Sequence, residues 1–161
     1  MIDWAPADRA LFDRFRVGAA AVDAAISHLG DEELDRRDGD GWSARMIAHH
    51  LADAEVHIYE RLRQLLADLP PVSTLYWDEE RWATAPELRY TTAPIAPSLA
   101  LFHAARTGSV AILEGLPATD LDRAGTHSTD GAFSVRHWLT MAAAHAEDHA
   151  RQITGAATGA S

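Results

Sequence analysis

The chain has 161 residues, 47% of them hydrophobic and 24% charged, the size and balance of one folded domain with a buried core and not of a disordered segment. Its 14 basic against 24 acidic side chains leave a formal charge of −10, and with no lysine and no basic run beyond the pair Arg36–Arg37, a nucleic-acid-binding surface is excluded. Cysteine is absent, which removes disulfides, thiolate metal sites and Cys nucleophiles; nine histidines are the conspicuous reservoir of chemistry.

Residues 1–10 carry Asp3 and Asp8 and lack a basic segment leading into an apolar run, so they are not a signal peptide. No stretch of about 18 apolar residues exists to span a membrane, and the cytoplasm is the expected location. A first helix over about 6–29 follows from Leu11, Phe15, Gly18, Val22 and Ile26 stepping by three or four, with Pro6 in the first turn and Gly30 as a cap. An acidic, glycine-punctuated connection, residues 31–41, leads into a second helix over about 43–69. Ser43 is its N-cap, Ile47, Leu51, Ala54, Ile58, Leu62 and Leu65 form its stripe, and Pro70–Pro71 stop it. Residues 70–97 form a long connection with five prolines and a short helix around 78–83; its Tyr76, Trp77 and Trp82 are read as the wall of a cleft.

The third helix, about 98–114, places Phe102, Ala105, Ser109 and Ile112 on one side and is closed by Gly115 and Pro117; residues 118–131 read as a loop. A fourth, about 134–154, opens at Ser134 and turns Val135, Trp138, Ala142, Ala146 and Ile153 inward, with Gly155 as the C-cap and 155–161 as a frayed tail. No alternating strand pattern and no internal repeat is found. The expected fold class is all-α, a four-helix bundle in a single domain over 1–161.

At 100° per residue, His145 and His149 lie about 40° apart, one turn from each other on the inward face of the fourth helix. Two inward imidazoles at this spacing are either seam histidines bonded to neighbours or a chelating pair. Ala146 stands where a zinc protease needs Glu after the first histidine, and Glu147 points roughly 200° away from His145, so that motif is excluded. His50 lies at the edge of the second helix's stripe, which suits a boundary histidine as well as a ligand. His49 falls on the opposite side and is expected in solvent. His57, two turns on from His50, is a weaker candidate, and His28, His103, His127 and His137 read as surface, cap or loop residues.

The run Gly41-Trp42-Ser43-Ala44-Arg45-Met46-Ile47-Ala48-His49-His50-Leu51-Ala52-Asp53 resembles the second-helix motif of the DinB/YfiT superfamily. Phe133-Ser134-Val135-Arg136-His137-Trp138-Leu139, followed by His145-Ala146-Glu147-Asp148-His149-Ala150-Arg151-Gln152-Ile153, resembles that family's fourth helix, and the Trp77…Trp82 connection fits its YfiT-like branch. The resemblance spans about residues 11–153. Met46 departs from it, where many relatives carry Glu or Gln, and leaves Ser43 without a capping-box partner.

What the resemblance implies is a metal site made by His50, His145 and His149, holding one divalent transition metal, zinc or nickel ahead of iron or manganese. Three neutral imidazoles leave coordination positions open, an arrangement for catalysis and not for a closed structural site. Asp53 and Asp148, one turn from His50 and His145, are the expected acceptors for the ligands' other ring N–H groups. The resemblance further implies activation of a low-molecular-weight thiol, mycothiol or bacillithiol, for transfer to an electrophilic substrate. The alternatives are a hydrolase in which the metal activates water, and a non-catalytic metal-binding stress-response protein. A homodimer is expected, with neither nucleic acid nor membrane as a partner.

Overall fold

Apolar spacing of three and four becomes four long helices, and the polar segments between them carry the short elements. In the computed structural model, which describes residues 3–37, 39–68 and 73–158, the chain order is α1 (Pro6–Ile26), α2 (Asp31–Asp35), α3 (Ala44–Ala67), β1 (Ser73–Thr74), α4 (Glu79–Thr84), α5 (Ala96–Glu114), β2 (Ala124–His127), β3 (Gly131–Ser134) and α6 (Val135–Thr158). 3-10 turns at Pro86–Leu88 and Ala118–Asp122 complete it. Pro6 occupies the first turn of α1, where its missing N–H costs nothing. Ser43 Oγ accepts from the Met46 N–H at 3.3 Å, and Ser134 Oγ accepts from the His137 N–H at 3.1 Å, so both expected serine caps form.

α1 packs along α6, α3 packs on both α5 and α6, and α1 touches α5 more lightly, which leaves α1 and α3 as the diagonal pair of the bundle. One apolar cluster, with Phe12, Phe15, Leu62, Leu113, Phe133 and Trp138, fills one end. Another, with Val22, Ile47, Leu51, Phe102, Ala146 and Ile153, fills the other. Between them, at mid-height, lies a buried ion pair: Arg106 Nη2 to Glu55 Oε2 at 2.6 Å and Nε to Oε1 at 2.8 Å, with Nη1 donating to the Phe15 carbonyl at 2.9 Å. The guanidinium carbon also lies 4.1 Å from the centre of the Phe15 ring. At this level α1 and α6 come close, and a Cβ on Gly18 would stand 3.2 Å from that of Ala146.

Several boundaries differ from the expected ones. α1 stops at Ile26, and Gly30 caps no end: it is the N-cap of α2, its N–H held by the Glu33 carboxylate at 3.0 Å. α5 begins at Ala96, and α6 runs through Gly155 to Thr158. Ala156 and Ala157 are buried and the Ala157 carbonyl accepts from Arg36 at 2.5 Å, so the segment expected to fray is held down; its residues 159–161 lie outside the described part. Pro70–Pro71 also lie outside it, and α3 ends at Ala67. The segment read as a loop after α5 contains the β2–β3 hairpin, and β1 pairs parallel to β2 with Ser73 opposite Thr126 and Thr74 opposite His127. Strands of two to four residues are too short to register as alternation in the sequence. The small sheet pins the long connection to the hairpin, and Tyr76 N–H adds a bond to Ser128 Oγ at 2.8 Å.

Candidate metal centre

α3 and α6 meet at His50 and His145, and again where Trp138 Nε1 donates to the Ile58 carbonyl at 2.7 Å, so they run antiparallel along their contact. His50 is 1% exposed on α3, while His145 and His149, one turn apart on α6, turn toward it. His145 Nε2 stands 3.1 Å from His50 Nε2 and 3.1 Å from His149 Nε2. A single proton on His145 Nε2 satisfies only one of these contacts. Two nitrogens sharing one zinc-sized ion at about 2.0–2.1 Å stand roughly 3.3 Å apart, so the observed spacing fits three lone pairs converging on a cation. Among the described residues these three form the cluster of His, Cys, Asp and Glu ligand atoms that could hold a metal, all within 4.8 Å of one another.

Electrostatics keep the cluster ready for a cation. Burial, with some help from His149, holds the His50 imidazole down at about 3. Burial first, then the neighbouring His149 and His50, keeps His145 well below its usual value. His149 is lowered by burial against the opposing pull of Gln152 and Asp148. All three are therefore neutral donors at ordinary pH, the form a metal requires. Gln152 Oε1 lies 2.8 Å from His149 Nδ1, a contact that places the proton on Nδ1 and the lone pair on Nε2. The Nδ1 atoms of His50 and His145 are buried without a partner among the described residues.

The aromatic connection closes over the cluster. Trp77 stacks on His50 at 5.6 Å and 18° and on His57 at 4.8 Å and 25°, and Trp42 meets His50 edge-on at 4.9 Å. Asp78 caps α4, its Oδ1 accepting from the Arg81 N–H, and this sets Glu79 in the first turn with Oε2 3.8 Å from His50 Nε2. Burial, then Glu80 and Asp78, push the Glu79 carboxyl up. A cavity of about 250 Å³ leads from His145 and Glu79 along the α3–α6 groove, past Trp77, Phe133 and Trp138, to Arg61 and His127.

Of the expected site residues, His50, His145 and His149 come together, and Tyr76 and Trp77 line the cavity. Trp82 does not line it; it packs behind Trp77 at 4.9 Å. Asp53 and Asp148 bond elsewhere: Asp53 accepts from the Tyr90 hydroxyl, and Asp148 pairs with Arg151 at the surface. Neither hydrogen-bonds a cluster histidine. His49 is not in solvent. It is 6% exposed, with Nδ1 2.8 Å from Ser98 Oγ, because the connection and the start of α5 cover the far side of α3. His127 is no loose loop residue either, being 6% exposed in β2. Sequence reasoning also missed that Gln152 and Glu79 stand beside the cluster histidines. Only Gln152 had a signal within reach, since it stands three residues after His149 on the same helix face.

The family model described as the DinB superfamily matches residues 14–153. Two similar proteins from Oceanobacillus iheyensis, each bearing the name "Putative metal-dependent hydrolase", are 30% identical over 129 residues and 35% identical over 131 residues. The matches cover 80% of this chain in both cases, and 72% and 73% of those proteins. Among solved structures, YfiT from Bacillus subtilis, described as "a probable metal-dependent hydrolase with an unusual four-helix bundle topology", superposes with a TM-score of 0.84 at 24% identity. That match covers 94% of this chain and 86% of YfiT, and it bears on the fold.

Proposed function

This chain belongs to the DinB superfamily, and on that premise we propose that it is a metal-dependent enzyme whose His50, His145 and His149 hold one divalent transition metal and which activates a small nucleophile. The observation that carries the reading is His145 Nε2 standing 3.1 Å from both partner Nε2 atoms, two contacts of which one Nε2 proton satisfies only one. A divalent metal bound there supplies Lewis acidity, lowering the pKa of a thiol or water that reaches it. Around it, Gln152 orients His149, Trp77 and Trp42 cover His50 against water, and Glu79 Oε2 is placed on the cavity side to take the proton of the incoming nucleophile. The metal we propose is zinc or nickel ahead of iron or manganese.

The nucleophile in this reading is a low-molecular-weight thiol of the mycothiol or bacillithiol type, transferred to an electrophile. The chain has no cysteine to supply one, and a cavity leads from His145 into the α3–α6 groove. The second reading, hydrolysis by activated water, is favoured by the names that the similar proteins carry. Purified protein should hold about one metal per chain, and His149→Ala should lose most of it. Equal metal in wild type and in a triple His50/His145/His149→Ala variant would sink the site. Metal-dependent conjugation of a chlorodinitrobenzene that needs mycothiol or bacillithiol supports transfer. Metal-dependent ester hydrolysis without thiol selects the second reading, and metal with neither activity points to a binding protein.

A further inference from the structure

α3 and α6 meet at His50–His145 and again at Ile58–Trp138, two contacts about 12 Å apart along the helix axis. Between them the antiparallel register sets Ala54 across from Met141 and Ala142, and all three line the cavity. Ala54 and Ala142 carry one side-chain carbon each, so a gap remains here that longer side chains would close. Tyr76 and Met141, 55% and 41% exposed, stand at its mouth. One end of the gap is His145 itself.

The charges around this cavity disfavour an ion inside it. At the far end Arg61 Nη2 donates to the Leu75 carbonyl at 2.7 Å, and Asp130 Oδ1 accepts from the Thr129 hydroxyl at 2.9 Å, so both are engaged with the protein. The carboxylates of Glu79 and Asp130 line the cavity against the single guanidinium of Arg61, and an anion leaving water for this place meets net repulsion. A cation finds no open ring face on Trp77. His50 and His57 stand about 10.5 Å apart along α3 and cover that ring from opposite sides, at 18° and 25° to its plane, so Trp77 gives the cavity its edge.

We propose that this cavity binds the substrate of the proposed reaction, an uncharged compound with an apolar body, and that Ala54 and Met141 set the size of body it admits. The body lies in the gap between α3 and α6, and the reacting atom points toward His145. Ala54 limits the depth because any larger side chain there grows into the gap, while the flexible thioether of Met141 adjusts the mouth. The inference deepens the proposed function and rests on it for the reacting end, whether the reaction is transfer or hydrolysis. Binding of the body needs no metal and is tested apart from it.

The probe is 4-fluorobenzyl alcohol, titrated into metal-free protein and followed by fluorine NMR, with 4-fluorobenzoate and 4-fluorobenzylamine as charged counterparts of similar shape. Wild type should bind the alcohol about tenfold more tightly than either charged probe. Ala54→Leu, which fills the gap, and Met141→Trp, which narrows the mouth, should each weaken the alcohol about tenfold. Both should keep the wild-type circular dichroism and, when loaded, hold as much metal as wild type, which separates failure here from failure of the metal site. Met141→Ala should bind the larger 6-fluoro-2-naphthalenemethanol about fivefold more tightly than wild type does, a gain that a damaged fold does not produce. Equal or tighter binding of a charged probe by wild type, undiminished alcohol binding in Ala54→Leu and Met141→Trp, or no gain in Met141→Ala would overturn the proposal.

Discussion

His49 Nδ1 lies 2.8 Å from Ser98 Oγ and its Nε2 3.2 Å from the Ala93 carbonyl, so this ring ties α3 to the approach of α5 while its neighbour His50 faces the cluster. Replacing His49 by Ala should leave metal content unchanged, yet lower the unfolding free energy by about 1–3 kcal/mol through the lost bonds and the void. Urea denaturation beside a metal assay checks both halves, and metal loss in this variant would exchange the roles of the two histidines. The cluster also sets a pH dependence. An unfolded histidine titrates near 6.5, whereas folded His50 resists protonation down to about 3. Between those values the unfolded metal-free chain binds protons that the folded chain refuses, so stability rises with pH there and is lost as pH falls below 6.5. Urea midpoints of metal-free protein should drop from about pH 7 to about pH 5, and the drop should be shallower in His50→Leu; parallel curves would remove His50 burial as a cause.

Among elements, α3 and α5 are joined by the Glu55–Arg106 pair, 0% and 3% exposed. Burial pushes the Glu55 carboxyl up against the pull of Arg106, so the pair is held by mutual satisfaction and not by a large net gain. Glu55→Ala should cost about 3–5 kcal/mol by stranding a buried guanidinium, and the double variant Glu55→Leu/Arg106→Met should cost much less. Chemical denaturation of the three proteins distinguishes this from simple cavity loss, which would make the costs add. Neither partner was visible as buried in the sequence, because an isolated Glu and an isolated Arg on amphipathic helices read as surface. The connection from β1 to α5 shows the same limit. Its aromatic content marked it as packed, but its placement of Glu79 beside His50 depends on the Asp78 cap and on the β1–β2 pairing, a contact across some fifty residues of chain.

For the whole molecule, among the described residues no helix is long and apolar enough to cross a membrane. Val17 on α1 and Leu101 on α5 are apolar side chains left 53% and 45% exposed, and we propose a C2 homodimer that covers such surface. Light scattering at micromolar concentration should give about twice the 17.5 kDa chain mass, and a mass of 17.5 kDa alone rejects the dimer.

The four long helices, their serine caps and the His145–His149 pair were legible from the sequence because helix periodicity and capping are local: each depends on residues three or four apart. His50 was ambiguous on that basis, and only the motif resemblance pointed to it as a ligand, since a residue at the edge of a stripe has no local sign of what it faces. Tertiary structure decided the rest. It buried His49 and His127 under segments distant in the chain, sent Asp53 to Tyr90 and Asp148 to Arg151, paired Glu55 with Arg106, and set Glu79 against the cluster. Each of these rests on which side chain lies across an interface, and periodicity along one helix carries no information about the chemistry of the element packed against it.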